Sequence, residues 1–386
     1  MPGQSPDPDG LLEYSVVFTE RSLNHMSERF QRVMRDISET LRDVYSAAAP
    51  AVVPGGGTYG MEAIARQFAG DRRCLVIRNG YFSYRWSQIF EAGGITGDVV
   101  VLKASPVADG RHAPWAPPPM DEVVAAVRAH APDLVFAPHV DTSSGILLPD
   151  DYLRAVGEAV HERDGLFVLD CVASGGVRVD MREAGVDVLL TAPQKGWSAP
   201  PSAALVMLGE AAAGRLETTR SSSFACDLRR WRQIMRAYED GGHAYHATLP
   251  TDALLAFRDA MLETVDVGLD EVERRQWELG RRVRALLADH GLPSVAAAGF
   301  EAPGVVVSYT DDPDVRTGRS FADAGLQVAA GVPLMCDEPE DFSTVRIGLF
   351  GLDKWTDVDG TVATLERALG RIAPAARAPD GAGARG

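Results

Sequence analysis

The sequence predicts an α/β fold, a sheet of mainly parallel strands with helices on its faces, followed by a smaller C-terminal unit. Three observations carry this. Short runs rich in Val and Leu (Cys74–Ile77, Asp133–Ala137, Leu166–Leu169 and Val188–Leu190) are continuous rather than alternating, as strands buried on both faces are. Phe30, Val33, Met34, Ile37, Leu41 and Val44 recur at helical spacing behind Ser27, a candidate cap, so a core-facing helix precedes the first run. Charged residues stand just past the ends of the runs, Asp170 after one and Lys195 after another, where open α/β sheets do their chemistry.

The bulk properties set bounds. A chain of 386 residues, 46% apolar and 24% charged, has room for one large domain and a smaller one. We expect the large domain over 14–255 and the small one over 256–373. The tails over 1–13 and 374–386, rich in Pro, Gly and small residues, are expected to be disordered. A net charge of −16 argues against nucleic acid as a partner. Cys74, Cys171, Cys226 and Cys336 are scattered, which suggests neither a disulfide framework nor a zinc site. His243 and His246 lack further ligands nearby, so no metal site is expected. No apolar run approaches membrane-spanning length and Met1–Gly10 has no secretory pattern, which makes a cytoplasmic protein the expectation.

Taken in order, the first candidate site element is Val53-Pro54-Gly55-Gly56-Gly57-Thr58-Tyr59-Gly60, a glycine-rich turn opening a helix. Backbone N–H groups at a helix start bind phosphate, and glycine lets an anion come close. Gly55, Gly57 and Gly60 also satisfy G-x-G-x-x-G, but a dinucleotide site wants an acidic residue closing the next strand, and that strand closes with Arg78-Asn79, which leaves an arginine binding a 2′-phosphate as the minor alternative. Further on, a helical pattern from about Ala256 to Leu287 leads to strand-like Val305–Tyr309.

Lys195 is the most pointed single residue. Only Lys103, Lys195 and Lys354 are lysines among 38 basic residues, and between Ala184 and Leu208 the only charged side chains are Asp187 and Lys195. Apolar burial lowers a lysine pKa and favours the neutral amine that Schiff-base chemistry needs. A lysine stem lying along apolar surface with its head in water is the structural alternative.

Asp170-Cys171-Val172-Ala173-Ser174, followed by Gln194-Lys195 and Pro200-Pro201, resembles the core of the class V, fold-type I pyridoxal-phosphate enzymes, in particular the alanine–glyoxylate and serine–pyruvate aminotransferases. The resemblance implies a mostly parallel seven-stranded sheet flanked by helices, a small α+β C-terminal domain, and pyridoxal 5'-phosphate as cofactor. Lys195 would hold that cofactor as a Schiff base, Asp170 would pair with its ring nitrogen, and Gln194 would lie beside it. Gly56, Gly57 and Thr58 match the segment that cups the cofactor phosphate. Asn79-Gly80-Tyr81-Phe82-Ser83-Tyr84-Arg85 resembles N-G-x-[aromatic]-G-x-R, which makes Phe82 the ring stacked on the cofactor. His139-Val140-Asp141-Thr142-Ser143-Ser144-Gly145 is similar to H-x-E-[ST]-S-T-G; Thr142 falls at the position near the cofactor's phenolic oxygen, while Ser143 and Ser144 read as shaping the turn.

Tyr245-His246-Ala247-Thr248-Leu249-Pro250 resembles Y-H-x-T-x-P, whose tyrosine and threonine reach the phosphate of the neighbouring subunit. The implication is a homodimer with shared active sites. Arg346-Ile347-Gly348 matches R-I-G and makes Arg346 the binder of the substrate α-carboxylate, because a guanidinium meets a carboxylate with two parallel hydrogen bonds. Asn24 and His25 lie in Phe18–Met26, where the family carries a Gly-Pro-rich entry segment near the substrate, and are candidate substrate contacts. The implied reaction moves an amino group from a small, alanine- or serine-like amino acid to a small 2-oxo acid, glyoxylate or pyruvate, in two half-reactions. Cys336, ten positions before Arg346, offers the alternative of a cysteine desulfurase or other β-lyase. A cofactor-free or sensory protein on the same fold is disfavoured by the intact Lys195, Asp170 and Arg346.

Overall fold

A computed structural model of the chain describes residues 22–372, together with Leu11 and Tyr14. The rest of both predicted tails, and Phe18–Arg21, lie outside the described residues.

The chain opens with helix α1 (Glu28–Tyr45), whose N-terminus is capped by Ser27, the Oγ accepting from Phe30 N at 3.2 Å. Phe30, Val33, Met34, Ile37 and Leu41 are all buried on its inner face. Strand β1 (Ala49–Pro54) runs into helix α2 (Gly57–Phe68), then β2 (Cys74–Arg78), α3 (Tyr81–Gly93), β3 (Val99–Lys103) and α4 (Met120–His130). There follow β4 (Leu134–Pro138), α5 (Asp150–His161), β5 (Leu166–Asp170), β6 (Val188–Thr191) and β7 (Ala203–Leu208). Together they make one seven-stranded sheet in the order β1-β7-β6-β5-β4-β2-β3. Pairs β2–β3, β2–β4, β4–β5 and β5–β6 are parallel, while β7 runs antiparallel to both β6 and β1. The central strands β2, β4, β5, β6 and β7 are buried along their whole length, which is why they read as unbroken apolar runs.

After β7 come α6 (Glu210–Thr218), α7 (Leu228–Glu239) and α8 (Thr251–Val267). The long helical pattern of the sequence is two helices, not one. Gly268, at φ +94, ends α8 and begins α9 (Leu269–Asp289). Leu254, Phe257 and Met261 of α8 join the core of the large sheet. Val272, Leu279, Val283 and Leu287 of α9 instead pack with Val306, Val345, Ile347 and Trp355. That second core covers a three-stranded antiparallel sheet, in which β10 (Thr344–Gly348) lies between β8 (Val305–Tyr309) and β9 (Ala329–Ala330). Buried Gln276 ties α9 to it: Gln276 donates to Pro303 O and Leu349 O, and Trp355 Nε1 donates to its Oε1.

Candidate active site

The register of the sheet sets the site. Asp170, the last residue of β5, pairs with Leu190 on one side and Pro138 on the other. The chain beyond Leu190 makes a single helical turn, Pro193–Gly196, which carries Lys195; the chain beyond Pro138 carries Asp141 and Thr142. Three strand ends thus deliver their polar residues to one edge of the sheet.

Asp170 is 8% exposed and its Oδ1 accepts from Val172 N at 2.9 Å. Burial pushes its carboxyl up to about 7, against the pull of that backbone hydrogen bond. Burial also holds the Lys195 amine below the usual lysine range, and the nearby charge of Arg346 lowers it further. The ammonium nitrogen of Lys195 stands 5.0 Å from the centre of the Phe350 ring. Gln194 Oε1 is buried and, among the described residues, accepts no hydrogen bond. Thr142, next in the chain to Asp141, is buried.

The glycine turn closes another wall. Gly56 precedes α2, and the N–H groups of Gly57 and Thr58 have no carbonyl one turn back to bond, whereas those of Tyr59 and Gly60 return to Gly56 O. A Cβ on Gly57 would come within 2.7 Å of Val172 Cγ2, so the turn packs directly on the segment that follows Asp170. Thr58 Oγ1 accepts from Arg85 Nη1 at 2.9 Å. The guanidinium of Arg85 lies 5.1 Å from the centre of the Phe82 ring, and that of Arg346 lies 5.7 Å from the same ring. Arg346 donates its Nε to Ala330 O at 2.8 Å, which leaves the two terminal nitrogens as a fork.

The structure therefore brings together Lys195, Asp170, Gln194, Gly56, Gly57, Thr58, Phe82, Thr142 and Arg346. Asn24, His25, Tyr245 and Thr248 line a separate cleft of about 130 Å³, whose lining includes none of those residues. There the His25 ring lies 5.7 Å from that of Tyr245 and 6.1 Å from that of His243. Asn24 Oδ1 accepts from Met26 N and His25 O accepts from Tyr238 OH, so both residues shape the entry to α1.

Sequence reasoning assigned no role to Arg85 or Phe350. Arg85 closes the quoted N-G-x-[aromatic]-G-x-R pattern, a signal that was present; nothing in the sequence singles out Phe350. The desulfurase alternative fails on Cys336. Its thiol is 5% exposed, donates toward Arg78 O and Leu334 O, and is pushed up to about 12 by burial, whereas a nucleophilic cysteine needs an accessible thiolate. Among the described residues no group of three or more His, Cys, Asp or Glu could hold a metal ion, and no helix is long and apolar enough to cross a membrane.

A parallel sheet with one antiparallel strand, a lysine and a buried carboxylate at adjacent strand ends, and a small C-terminal sheet together define a fold-type I transferase. The chain belongs to the class-V aminotransferase family, whose model matches residues 11–328. It is 28% identical over 335 residues to alanine–glyoxylate aminotransferase 1 of Saccharomyces cerevisiae, covering 81% of this chain and 82% of that one. It is 26% identical over 364 residues to the alanine–glyoxylate aminotransferase of Rattus norvegicus, covering 90% and 82%. The crystal structure of alanine–glyoxylate aminotransferase from Nostoc sp. superposes with a TM-score of 0.76 at 24% identity, covering 90% of this chain and 89% of that one.

Proposed function

We propose that this aminotransferase uses pyridoxal 5'-phosphate to move the amino group of a small, alanine- or serine-like amino acid to glyoxylate or pyruvate, by a ping-pong route. The observation that carries the reading is the register of Asp170 against Leu190, which hangs the Lys195 turn just beyond the buried carboxylate. The residues fit the cofactor. Gln194 Oε1 is a buried acceptor in want of a donor, Gly57 leaves no room for a side chain over the Asp170 segment, and Lys195 is biased toward the free amine.

Bound there, pyridoxal phosphate supplies a ring that takes up the electron pair left when a bond at the substrate Cα breaks. The N–H groups of Gly57 and Thr58 at the start of α2 would receive the phosphate. Asp170 would face the ring nitrogen; a cationic partner stabilises its carboxylate and reverses the effect of burial. Phe82 would stack on the ring. Arg346 would grip the substrate carboxylate through its two terminal nitrogens, since Nε is already engaged. Lys195 Nζ would take the Cα proton as a base and return it as an acid. Tyr245 is 59% exposed. With Thr248 it would serve the phosphate of a second copy of the chain, in a homodimer.

The test is the visible spectrum of the protein loaded with pyridoxal phosphate. L-Alanine is expected to remove the absorption band and glyoxylate to restore it. A band untouched by L-alanine and L-serine would overturn the substrate assignment. A borohydride-reducible lysine adduct that persists in Lys195→Ala would overturn the role of Lys195.

A further inference from the structure

Phe82 is held in place by the two residues that flank it. Asp141 is completely buried, and its carboxylate is fully engaged. One oxygen accepts from Ser83 N and Ser83 Oγ, both at 2.8 Å. The other accepts from Ser143 N at 3.0 Å and Ser143 Oγ at 2.6 Å. Ser143 Oγ in turn accepts from Tyr81 N at 2.7 Å. Ser83 Oγ also accepts from the N–H groups of Asn79 and Gly80. The backbone on both sides of Phe82 is thus fastened to one buried anion, and charged acceptors make the stronger hydrogen bonds.

We propose that Asp141, Ser83 and Ser143 form a positioning clamp that sets the Phe82 ring, and that Asp141 and Ser83 act as a matched pair. The motifs quoted above place glutamate where this chain has Asp141 and glycine where it has Ser83. The two departures are complementary: a carboxylate one methylene shorter meets a hydroxyl that reaches toward it. Ser83 Oγ occupies the space a longer acid would need, so either reversal alone mismatches the site. The clamp's purpose rests on the reading of Phe82 as the stacking ring.

A double-mutant cycle tests this on the full-length protein loaded with pyridoxal phosphate, read by amide hydrogen exchange over residues 79–84 and by the cofactor dissociation constant. Ser83→Gly and Asp141→Glu are each expected to speed exchange roughly tenfold and to weaken cofactor binding, as loss of a charge-assisted hydrogen bond does. The double variant is expected to return both readouts to within about threefold of the starting protein. Single effects that simply multiply in the double variant, or singles that leave exchange unchanged, would overturn the pairing. Ser143→Ala, the milder change, should speed exchange at Tyr81 without speeding it along β2; an equal rise in both would overturn the clamp as a local device. Phe82→Leu separates the two readings. If it binds cofactor like the starting protein while the exchange cycle stays non-additive, the clamp stands and the stacking role falls.

Discussion

The guanidinium of Arg346 leans on the ring of Phe82, 5.7 Å from its centre. The group proposed to hold the substrate carboxylate therefore touches the group proposed to hold the cofactor ring, and the two ligands are registered against each other through one protein contact. Arg346→Lys keeps a charge but loses the fork. We expect kcat/KM for the amino donor to fall by roughly ten- to a hundredfold, about 1.5–3 kcal/mol, with most of the loss in KM. Steady-state kinetics with L-alanine and glyoxylate check this.

Phe82→Leu removes the stack but keeps an apolar side chain. The cofactor dissociation constant should rise by a factor of about two to ten, corresponding to roughly 0.5–1.5 kcal/mol, while Phe82→Trp should bind at least as tightly as the starting protein. Fluorescence titration of the cofactor-free protein reads both.

The pH dependence of cofactor capture follows from Lys195. Burial, then the charge of Arg346, lowers its pKa, so the reactive amine is present above that lowered value and is lost as pH falls through it. The capture rate should rise with pH and level off below the pH at which an ordinary lysine would. In Arg346→Leu the midpoint should move upward, because the repelling charge has gone. Stopped-flow absorbance across pH decides it; a midpoint that stays or moves down removes Arg346 as a cause.

Cys336 should resist alkylation in the native protein and react only on unfolding. Cys336→Ala should retain transamination, release no sulfide from L-cysteine, and lose about 1 kcal/mol of stability through packing. Mass spectrometry of labelled protein and denaturant unfolding are the measurements.

His161 and Asp187 supply a pH-linked contribution away from the site. His161 Nε2 is 2.9 Å from Asp187 Oδ2, and that hydrogen bond raises the imidazole pKa. A raised pKa means the stabilisation is complete below the unfolded value and is lost as pH rises through the folded one. The ring is 44% exposed, so solvent screening limits the effect to about 0.5 kcal/mol. Unfolding of the starting protein and His161→Gln at pH 5.5 and pH 8.5 should differ by that amount only at the lower pH.

Much of this was legible in the sequence, for physical reasons. The strands that carry Asp170 and lead to Lys195 are buried on both faces, so their apolar runs end where the sheet ends. Ser27 was readable as a cap because a side-chain oxygen in front of an amphipathic repeat has a definite job. Two kinds of feature were not readable. The break at Gly268 interrupts a continuous apolar period, and a single glycine within such a period does not announce a positive φ. The fastening of Ser83 to Asp141 joins residues 58 positions apart. Neither segment alone states which hydroxyl a carboxylate will meet, and Phe350 comes to Lys195 by a similar long-range packing.

The antiparallel strand β7 has a consequence for the way the chain is made. Among the described residues β1, at residues 49–54, pairs with β7 alone, Ala49 opposite Leu208 and Pro54 opposite Ala203. During synthesis the first strand has no hydrogen-bonding neighbour until some 150 more residues have emerged, about 8–30 s at ordinary elongation rates. Through that interval α1 has its apolar face but not its final bed. α1 and β1 emerge well before the strand they pack beside and are among the last parts to find their place, and the period between is when a chaperone has a surface to hold.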